Sequence, residues 1–465
     1  MNQKKQLLLN TIIIAIGKLS TQVISFLLLP LYTSKLSPEE YGTYDFLVTL
    51  SIFLLPVITL MMEESMFRFL IDAEDLKSKK KIITATITYT ALGTVIFSLI
   101  AGLVLGIMQY EYAIVFILFV ISNILIGLSN ALSRGTGKIK LYSLSNFVLG
   151  VSTIILNILF IVTFKLGVNG LLWSNTIANT LTALFIFAKL HIGQFISKKD
   201  FNKKTLSEMI KYSMPLVPNN LSWVIISLSD RLMLTYMSGA DANGIYSIAN
   251  KFPNIVYTCY GFFSTAWKES AAKILKEENK AEYYNSIYKD IKFFLKAIVL
   301  GLIAIMPFAF PILVDSSYND AYMYIPILII SIYYTNMSNF YGGIFTAYKQ
   351  TKIMGSTTVF AAIVNILINV LFIPKYGIYA ATFSTLISNI IAYAYRRYKL
   401  RDYIKLKERF NYIFWVLLAI TLIIYYMDNM LLKVLNFVVV LAYCIFTNKN
   451  FIMRIIEPVI NKLKK

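Results

Sequence analysis

Ionisable side chains interrupt several of the long apolar stretches of this sequence. Four of them stand well inside such a stretch: Lys18, Asp230, Arg231 and Lys251. A charged side chain at the centre of a membrane helix costs about 2.5–3.5 kcal/mol, so it is expected to face a partner or a water-filled cavity. Asp45 interrupts another stretch nearer to its end. These residues indicate a polar path inside an apolar protein.

The composition shows what kind of protein must position them. Of 465 residues, 57% are hydrophobic and only 15% are charged, and the mean hydropathy is +0.66. A membrane helix needs about 20 mostly apolar residues, and such runs recur along the whole chain. We name them span 1 to span 14 in chain order: 7–32, 41–62, 82–107, 110–132, 143–164, 168–188, 211–237, 244–267, 292–314, 321–346, 353–373, 377–395, 411–427 and 430–447.

The net charge of +20 is distributed unevenly over the segments between the spans. If residue 1 is cytoplasmic, most basic residues fall on the cytoplasmic side, including those of 268–296 and 396–409. Four fall on the outer side: Lys35, Lys165, Lys375 and Lys433. This asymmetry is the positive-inside pattern. It predicts a multi-pass protein with both termini cytoplasmic, and it explains the basic charge without nucleic-acid binding.

The chain also repeats itself. Three pairs of motifs recur in the same order: "YGTY" (41–44) with "NGIY" (243–246), "ILNILFI" (155–161) with "LINVLFI" (367–373), and "KLG" (165–167) with "KYG" (375–377). Each pair relates span n to span n+6. Because six is even, both copies enter the membrane in the same direction, which predicts a parallel repeat.

We therefore expect an all-α integral membrane protein with about 14 transmembrane helices. Two six-helix lobes in a parallel, pseudo-two-fold repeat would surround a central cavity, and two helices would follow. The predicted parts are an N-lobe at 1–190, a cytoplasmic linker at 191–210, a C-lobe at 211–400, and two helices with a basic cytoplasmic tail at 401–465.

The polar residues concentrate on spans 1, 2, 7 and 8, which the repeat relates in pairs. Their spacing of three and four residues forms stripes on helix faces. The candidate cavity residues are Lys18, Gln22, Asp45, Asn220, Asp230, Arg231, Asn250, Lys251, Asn254 and Tyr257. The candidate cytoplasmic gate residues are Glu63, Glu64, Arg68, Lys268 and Glu269. Any one charge could instead be a structural link between helices, whereas the set favours a cavity.

Motifs for catalysis and for cofactors are missing. "GTGK" (135–138) is not a phosphate-binding loop, because Leu132 replaces the first glycine and Ile139 stands where a Ser or Thr should bind Mg²⁺. The two cysteines and the single His191 form no metal-binding spacing. We expect neither an enzyme nor a metal or cofactor site. Coupling of transport to a H⁺ or Na⁺ gradient, through Asp45 and Asp230, is a hypothesis.

The fourteen spans, the two lobes, the "YGTY" motif and the run "NGIYSIANKFPNI" (243–255) resemble the O-antigen-type polysaccharide flippases of the multidrug/oligosaccharidyl-lipid/polysaccharide superfamily. The resemblance implies that the protein moves undecaprenyl-pyrophosphate-linked oligosaccharides to the outer leaflet of the bacterial plasma membrane by alternating access. These units would serve O-antigen, capsule or exopolysaccharide assembly. Cavity cations would meet the pyrophosphate: Lys18, Arg231 and Lys251.

The resemblance also implies the partners. These are the lipid-linked oligosaccharide and membrane lipids, with a glycan polymerase and glycosyltransferases as candidates. The protein itself would act as a monomer. A lipid II flippase or a multidrug exporter of the same superfamily is the alternative. A membrane glycan polymerase or ligase is disfavoured, because the predicted outer loops are short and almost free of Arg and His.

Overall fold

A computed structural model describes residue 26 and residues 28–275, 277–407 and 411–463. Those residues form helices and connecting turns, with no strand among them. The chain divides after Thr235 into two compact units, which we call unit 1 and unit 2. Lys18, Gln22 and most of span 1 lie outside the described residues.

The helices that begin in unit 1 are α1 (Leu29–Lys35), α2 (Pro38–Thr59), α3 (Met62–Asp72), α4 (Leu76–Ile107), α5 (Ala113–Gly135), α6 (Ile139–Asn157), α7 (Gly167–Lys189), α8 (Lys203–Ser213) and α9 (Leu216–Ser238). A π-helical turn, Ile158–Thr163, follows α6 directly. The helices of unit 2 are α10 (Ala240–Ile274), α11 (Lys280–Leu313), α12 (Ala321–Ala347), α13 (Thr351–Tyr376), α14 (Ile378–Leu400), α15 (Tyr412–Tyr426) and α16 (Met430–Leu463).

The predicted all-α membrane architecture is confirmed. Spans 2 to 14 each coincide with a helix in the described part of the chain. Among the described residues, eight helices are long and apolar enough to cross a membrane: Pro38–Thr59, Leu76–Ile107, Ala113–Gly135, Ile139–Thr163, Gly167–Lys189, Lys280–Leu313, Lys352–Tyr376 and Met430–Lys449. The apolar helix Tyr412–Tyr426 is shorter. The protein is therefore a multi-pass membrane protein.

Local sequence signals determine where α2 begins and ends. The Ser37 hydroxyl accepts a hydrogen bond from the backbone N–H of Glu40 (3.2 Å), and the Glu40 carboxylate accepts one from the N–H of Ser37 (2.8 Å). This capping box satisfies two backbone donors at the helix start. At the other end, Leu60 and Met61 adopt left-handed φ values of 46° and 54°. That conformation costs about 1–2 kcal/mol per non-glycine residue, and it separates α2 from α3.

The internal repeat is visible in the backbone. Gly167 and Gly377, the glycines of "KLG" and "KYG", have nearly identical positive φ values of +53° and +52°. Gly167 is the first residue of α7, and Gly377 stands between α13 and α14. A side chain would be disfavoured at this φ. A glycine with the same left-handed φ therefore occurs at equivalent positions of the two copies.

Matched polar contacts support the same repeat. Asn175 of α7 donates to the Tyr44 hydroxyl (3.2 Å), and the equivalent Thr385 of α14 hydrogen-bonds the Tyr246 hydroxyl (3.4 Å). Asn179 likewise donates to Ser122 of α5 (3.3 Å). The equivalent contact in unit 2 joins Asn389 to Ser331 (2.8 Å). Equivalent polar side chains thus make the same contacts in both copies of the repeat. The predicted lobe boundaries at 190, 211 and 400 stay a prediction.

Candidate functional site

A buried ion pair joins two of the predicted polar stripes within unit 1. The Arg231 Nε on α9 donates to Oδ2 of Asp45 on α2 at 2.5 Å. A second guanidinium nitrogen of Arg231 donates to the hydroxyl of Ser227 (2.7 Å) and to its backbone carbonyl (3.3 Å). Ser227 lies four residues earlier, on the same face of α9. Arg231 is therefore fixed by a partner on each of two elements.

The surroundings of this pair are largely closed to solvent. The side chains of Asp45 and Arg231 are each only 12% exposed, and both stand in apolar spans. Removing two charges from water is expensive, and their attraction compensates only when hydrogen bonds satisfy the remaining groups. Asp230, the sequence neighbour of Arg231, is also buried.

The predicted gate residues of unit 1 lie on α3, directly after the left-handed break. Glu64 faces Arg134 at the end of α5, with 3.7 Å between carboxylate and guanidinium. Arg134 also stands over the Phe67 ring, 4.6 Å from its centroid. Arg68 pairs with Asp72 one turn later, at 2.6 Å, and is exposed. Arg134 is not among the predicted gate residues, and the structure adds it to this cluster.

Glu63 differs from its neighbours in this cluster. Burial raises the pKa of its carboxyl above the ordinary value, nearby Glu64 adds slightly to this rise, and hydrogen bonds from its own backbone and from Thr59 oppose it. One carboxyl oxygen is buried without a hydrogen-bond partner within the described structure. A carboxyl in this position takes up a proton more readily than one in water.

The candidate residues of unit 2 follow one face of α10. The Asn250 amide donates to the backbone carbonyl of Tyr246 (2.9 Å). Lys251 is half-buried, whereas Asn254 and Tyr257 are exposed. Lys268 is exposed near the end of the same helix.

Two further candidates can be placed only in part. Glu269 belongs to the backbone of α10, but its side chain is outside the described structure. Asn220 lies on α9 of unit 1 and is half-buried.

Three cations of the predicted cytoplasmic segments are buried within the protein. Lys292 and Lys296 on α11 are 8% and 3% exposed, and Arg396 on α14 is 1% exposed. Their predicted location on the cytoplasmic side stays a prediction, whereas their burial was not predicted. A signal for the first two was present, since they are four residues apart at the start of an apolar run and so share a helix face.

Arg396 is held entirely by neutral groups of α12 and α13. Its nitrogens donate to the hydroxyls of Thr357 (2.9 Å) and Thr358 (3.0 Å). They also donate to the carbonyls of Ser338 (3.1 Å) and Met354 (3.3 Å). This arrangement links three helices and is a structural use of a buried charge.

The described residues contain no group of three His, Cys, Asp or Glu side chains that could hold a metal ion.

Comparison with known proteins connects this geometry to a family. The family model for polysaccharide biosynthesis proteins matches residues 7–267, more than half of the chain. The chain belongs to this family. The MatE family model matches residues 215–371. An uncharacterised membrane protein of Methanocaldococcus jannaschii is 23% identical over 291 residues, which is 59% of this chain and 67% of the relative.

Solved structures show the same fold. The lipid II flippase MurJ in its inward closed conformation has a TM-score of 0.72 and 15% identity, over 97% of this chain and 100% of that chain. A multidrug-resistance transporter of the MATE family, in an inward-facing conformation, has a TM-score of 0.67 and 16% identity, over 83% and 98%. Together with the two family matches, these structural similarities support membership of this protein in the multidrug/oligosaccharidyl-lipid/polysaccharide superfamily of flippases and transporters. The resemblance found in the sequence is thereby confirmed.

Proposed function

We propose that the protein moves undecaprenyl-pyrophosphate-linked oligosaccharides from the cytoplasmic to the outer leaflet of a bacterial plasma membrane by alternating access, with both termini cytoplasmic. The family match and the fold support a flippase or transporter. The observation that carries the finer proposal is the buried ion pair between Asp45 and Arg231. It provides a guanidinium for a phosphate group within apolar helices.

The pair suits a substrate that must be bound and then released. A pyrophosphate cannot cross about 30 Å of hydrocarbon without polar groups along its path. Arg recognises phosphate oxygens through the same N–H groups that it uses for carboxylates. Exchange of Asp45 for a phosphate oxygen would conserve one charge-assisted bond, so Arg231 need not be left buried and unpaired in either state. Competition with Asp45 would also limit the affinity and permit release.

The remaining sites of the proposal come from the sequence pattern. Lys18 and Lys251 are further cations for the pyrophosphate, and Asn250, Asn254 and Tyr257 would hydrogen-bond sugar hydroxyls. Gln22, Asn220 and Asp230 complete the candidate polar lining. A glycan polymerase and glycosyltransferases are proposed as functional partners.

The alternative within the superfamily is a lipid II flippase or a multidrug exporter. The specific observation in its favour is structural, because the fold matches MurJ over nearly its whole length and a MATE-family transporter over most of it. These substrates differ in headgroup, so a transport assay can separate them.

The test uses the full-length protein reconstituted in vesicles with a fluorescent polyprenyl-pyrophosphate-linked oligosaccharide. Arg231→Ala and Lys251→Ala should each lower the flipping rate at least about tenfold, as expected for loss of a charge-assisted bond. Lys375→Ala, at an exposed lysine near the end of α13, is the matched control and should flip at the parent rate. Each variant must be inserted and folded at the assay temperature, and the rates are compared per folded molecule.

Flipping at the parent rate by both variants would contradict the proposal that Arg231 and Lys251 bind the pyrophosphate. Transport of lipid II or of a cationic drug, without transport of the oligosaccharide lipid, would replace the proposal with its alternative. A rate that does not respond to either a H⁺ or a Na⁺ gradient would exclude ion coupling.

A further inference from the structure

A basic cavity of about 470 Å³ lies within unit 2, between α11, α12, α14 and the start of α15. It is lined by Lys292, Lys296, Tyr333, Tyr334, Tyr393, Arg397, Asn411 and Trp415. Three of these eight side chains are cations and none is acidic. Neighbouring cavities share Lys292 and Arg397 with it and add further basic residues, Lys289, Arg401 and Lys407, beside one acidic residue, Glu282. The chemistry of the lining favours an anion.

The lysines of this cavity are buried against aromatic rings. The Lys296 ammonium lies 4.3 Å from the centroid of the Phe414 ring and 5.7 Å from that of Trp415. The Lys292 ammonium lies 5.5 Å from the Tyr288 ring. Cation–π attraction supplies about 0.5–2 kcal/mol, whereas taking an ammonium out of water costs several kcal/mol. At Lys296 the rings therefore offset only part of the cost, and an anion in the cavity would offset more.

The adjacent Arg396 shows that the fold can satisfy a buried cation internally when its role is structural. Four protein oxygens of α12 and α13 accept from its guanidinium. Arg397 projects about 100° further round the helix, and it lines the cavity instead. Two consecutive arginines of α14 thus serve different environments.

The position of the cavity along the helices indicates the kind of anion. Lys292 and Lys296 stand where the charged start of α11 gives way to the apolar run 297–314. At the start of α15, Tyr412 and Trp415 are exposed. Tyr and Trp concentrate at the boundary between hydrocarbon and water, at the level of lipid headgroups. A lipid headgroup is the source of anions that such a position favours.

We propose that this cavity binds the phosphate group of an anionic lipid headgroup. Lys292, Lys296 and Arg397 supply the charge-assisted hydrogen bonds to the phosphate oxygens. The hydroxyls of Tyr333, Tyr334 and Tyr393 supply donors for the polar part of the headgroup. This site shares no residue with the Asp45–Arg231 pair, so it goes beyond the proposed transport function.

The test measures lipid binding by the intact protein in nanodiscs. Thermal unfolding is followed in phosphatidylcholine discs with increasing phosphatidylglycerol, and the bound lipid is identified by native mass spectrometry. The parent should gain stability as phosphatidylglycerol is added and should retain it after detergent extraction. The Lys292→Gln/Lys296→Gln double variant should need at least about tenfold more phosphatidylglycerol for the same shift.

The matched control is Lys352→Gln, at an exposed lysine near the start of α13 that does not line the cavity. It should respond to phosphatidylglycerol as the parent does. In pure phosphatidylcholine the double variant should unfold no earlier than the parent, because neutral amides replace buried charges. If it fails to fold, the single variant Lys296→Met takes its place, since it keeps the apolar stem.

Equal phosphatidylglycerol dependence in the parent, the control and the double variant would overturn the proposal. Inorganic phosphate in phosphatidylcholine discs is a separate arm. An equal stabilisation by phosphate alone would identify a free-anion site and overturn the lipid assignment. A polyprenyl pyrophosphate that displaces phosphatidylglycerol from the parent would support the phosphate site with the substrate lipid as its source. Arg231→Ala should keep lipid binding, so failure of this proposal and failure of the transport proposal can be distinguished.

Discussion

Two buried arginines show how differently the two units treat an internal charge. In unit 1, Arg231 is paired with the carboxylate of Asp45 on another helix. In unit 2, Arg396 meets two threonine hydroxyls and two backbone carbonyls, all of them neutral. Both guanidinium groups are largely removed from solvent. Their partners, rather than their burial, distinguish them.

The difference teaches which buried charges can take part in transport. A guanidinium paired with a carboxylate keeps one charge-assisted hydrogen bond when a phosphate oxygen takes the place of the carboxylate, and the displaced carboxylate then needs water or a proton. A guanidinium held by four neutral oxygens from two other helices would lose several hydrogen bonds at once in such an exchange. This contrast supports the proposal that Arg231 meets the substrate, whereas the contacts of Arg396 stabilise the α12–α13–α14 cluster.

The largest effect on stability is expected when one partner of the buried pair is removed. Arg231→Ala leaves the Asp45 carboxylate buried, and Asp45→Ala leaves the guanidinium buried. Each change should lower the free energy of unfolding by about 3–5 kcal/mol. The double variant should lose clearly less than the sum of the two, because no charge is then left alone. Equilibrium unfolding in mixed micelles measures the cycle.

The control for this cycle is Arg68→Ala, which breaks the exposed pair with Asp72. Solvent and salt screen a pair of this kind, so unfolding of this variant should be indistinguishable from that of the parent. Strict additivity of the Asp45 and Arg231 variants would contradict an energetic coupling between them.

Arg396→Met is expected to have the next largest effect. It removes the four hydrogen bonds that the guanidinium donates inside a helix cluster, which should lower the free energy of unfolding by about 3 kcal/mol. Arg396→Lys keeps the charge but cannot reproduce the planar fork of donors, so it should recover less than half of the loss. A Lys variant as stable as the parent would show that charge alone matters, and would move Arg396 into the same class as Arg231.

Much of the fold could be predicted because short stretches of sequence determine it. Apolar runs of the right length gave the membrane helices, and short motifs gave the repeat. The motifs "KLG" and "KYG" predict that Gly167 and Gly377 are equivalent, and their φ values agree. What could not be predicted is the break at Leu60 and Met61. No glycine or proline marks it, and neighbouring elements must hold it in place.

The site could be predicted less completely. Asp45 and Arg231 both belong to the predicted polar residues, but they are far apart in sequence, and only the tertiary structure brings them together. Arg396 and Arg397 are adjacent in a basic stretch, where periodicity cannot tell which side chain is buried. Counting charges at helix ends assumes that they are solvated, and Lys296 shows that tertiary packing can reverse this.

Substitution of Glu63 is expected to have the smallest effect on stability. It extends the comparison to a buried carboxyl that becomes neutral when it binds a proton. Its raised pKa, caused mainly by burial, means that the folded state binds the proton more tightly than the unfolded chain. The stabilisation is complete below the ordinary value of 4.5 and is lost as the pH rises through the raised pKa. The free energy of unfolding changes through this carboxyl by at most about 1.4 kcal/mol for each pH unit.

Glu63→Gln mimics the protonated carboxyl and should flatten this dependence. Unfolding midpoints between about pH 5 and about pH 8 compare the variant with the parent, whose stability should fall over that interval. Glu64→Gln is the matched control, because Glu64 pairs with Arg134 and contributes only the smallest part of the Glu63 shift. It should keep most of the slope while losing some stability at every pH. An unchanged slope in Glu63→Gln would mean that the pH dependence arises elsewhere. A weaker pH dependence of stability in Glu63→Gln would show that unit 1 stabilises its buried acids in two ways. Asp45 is paired with a cation, and Glu63 is protonated.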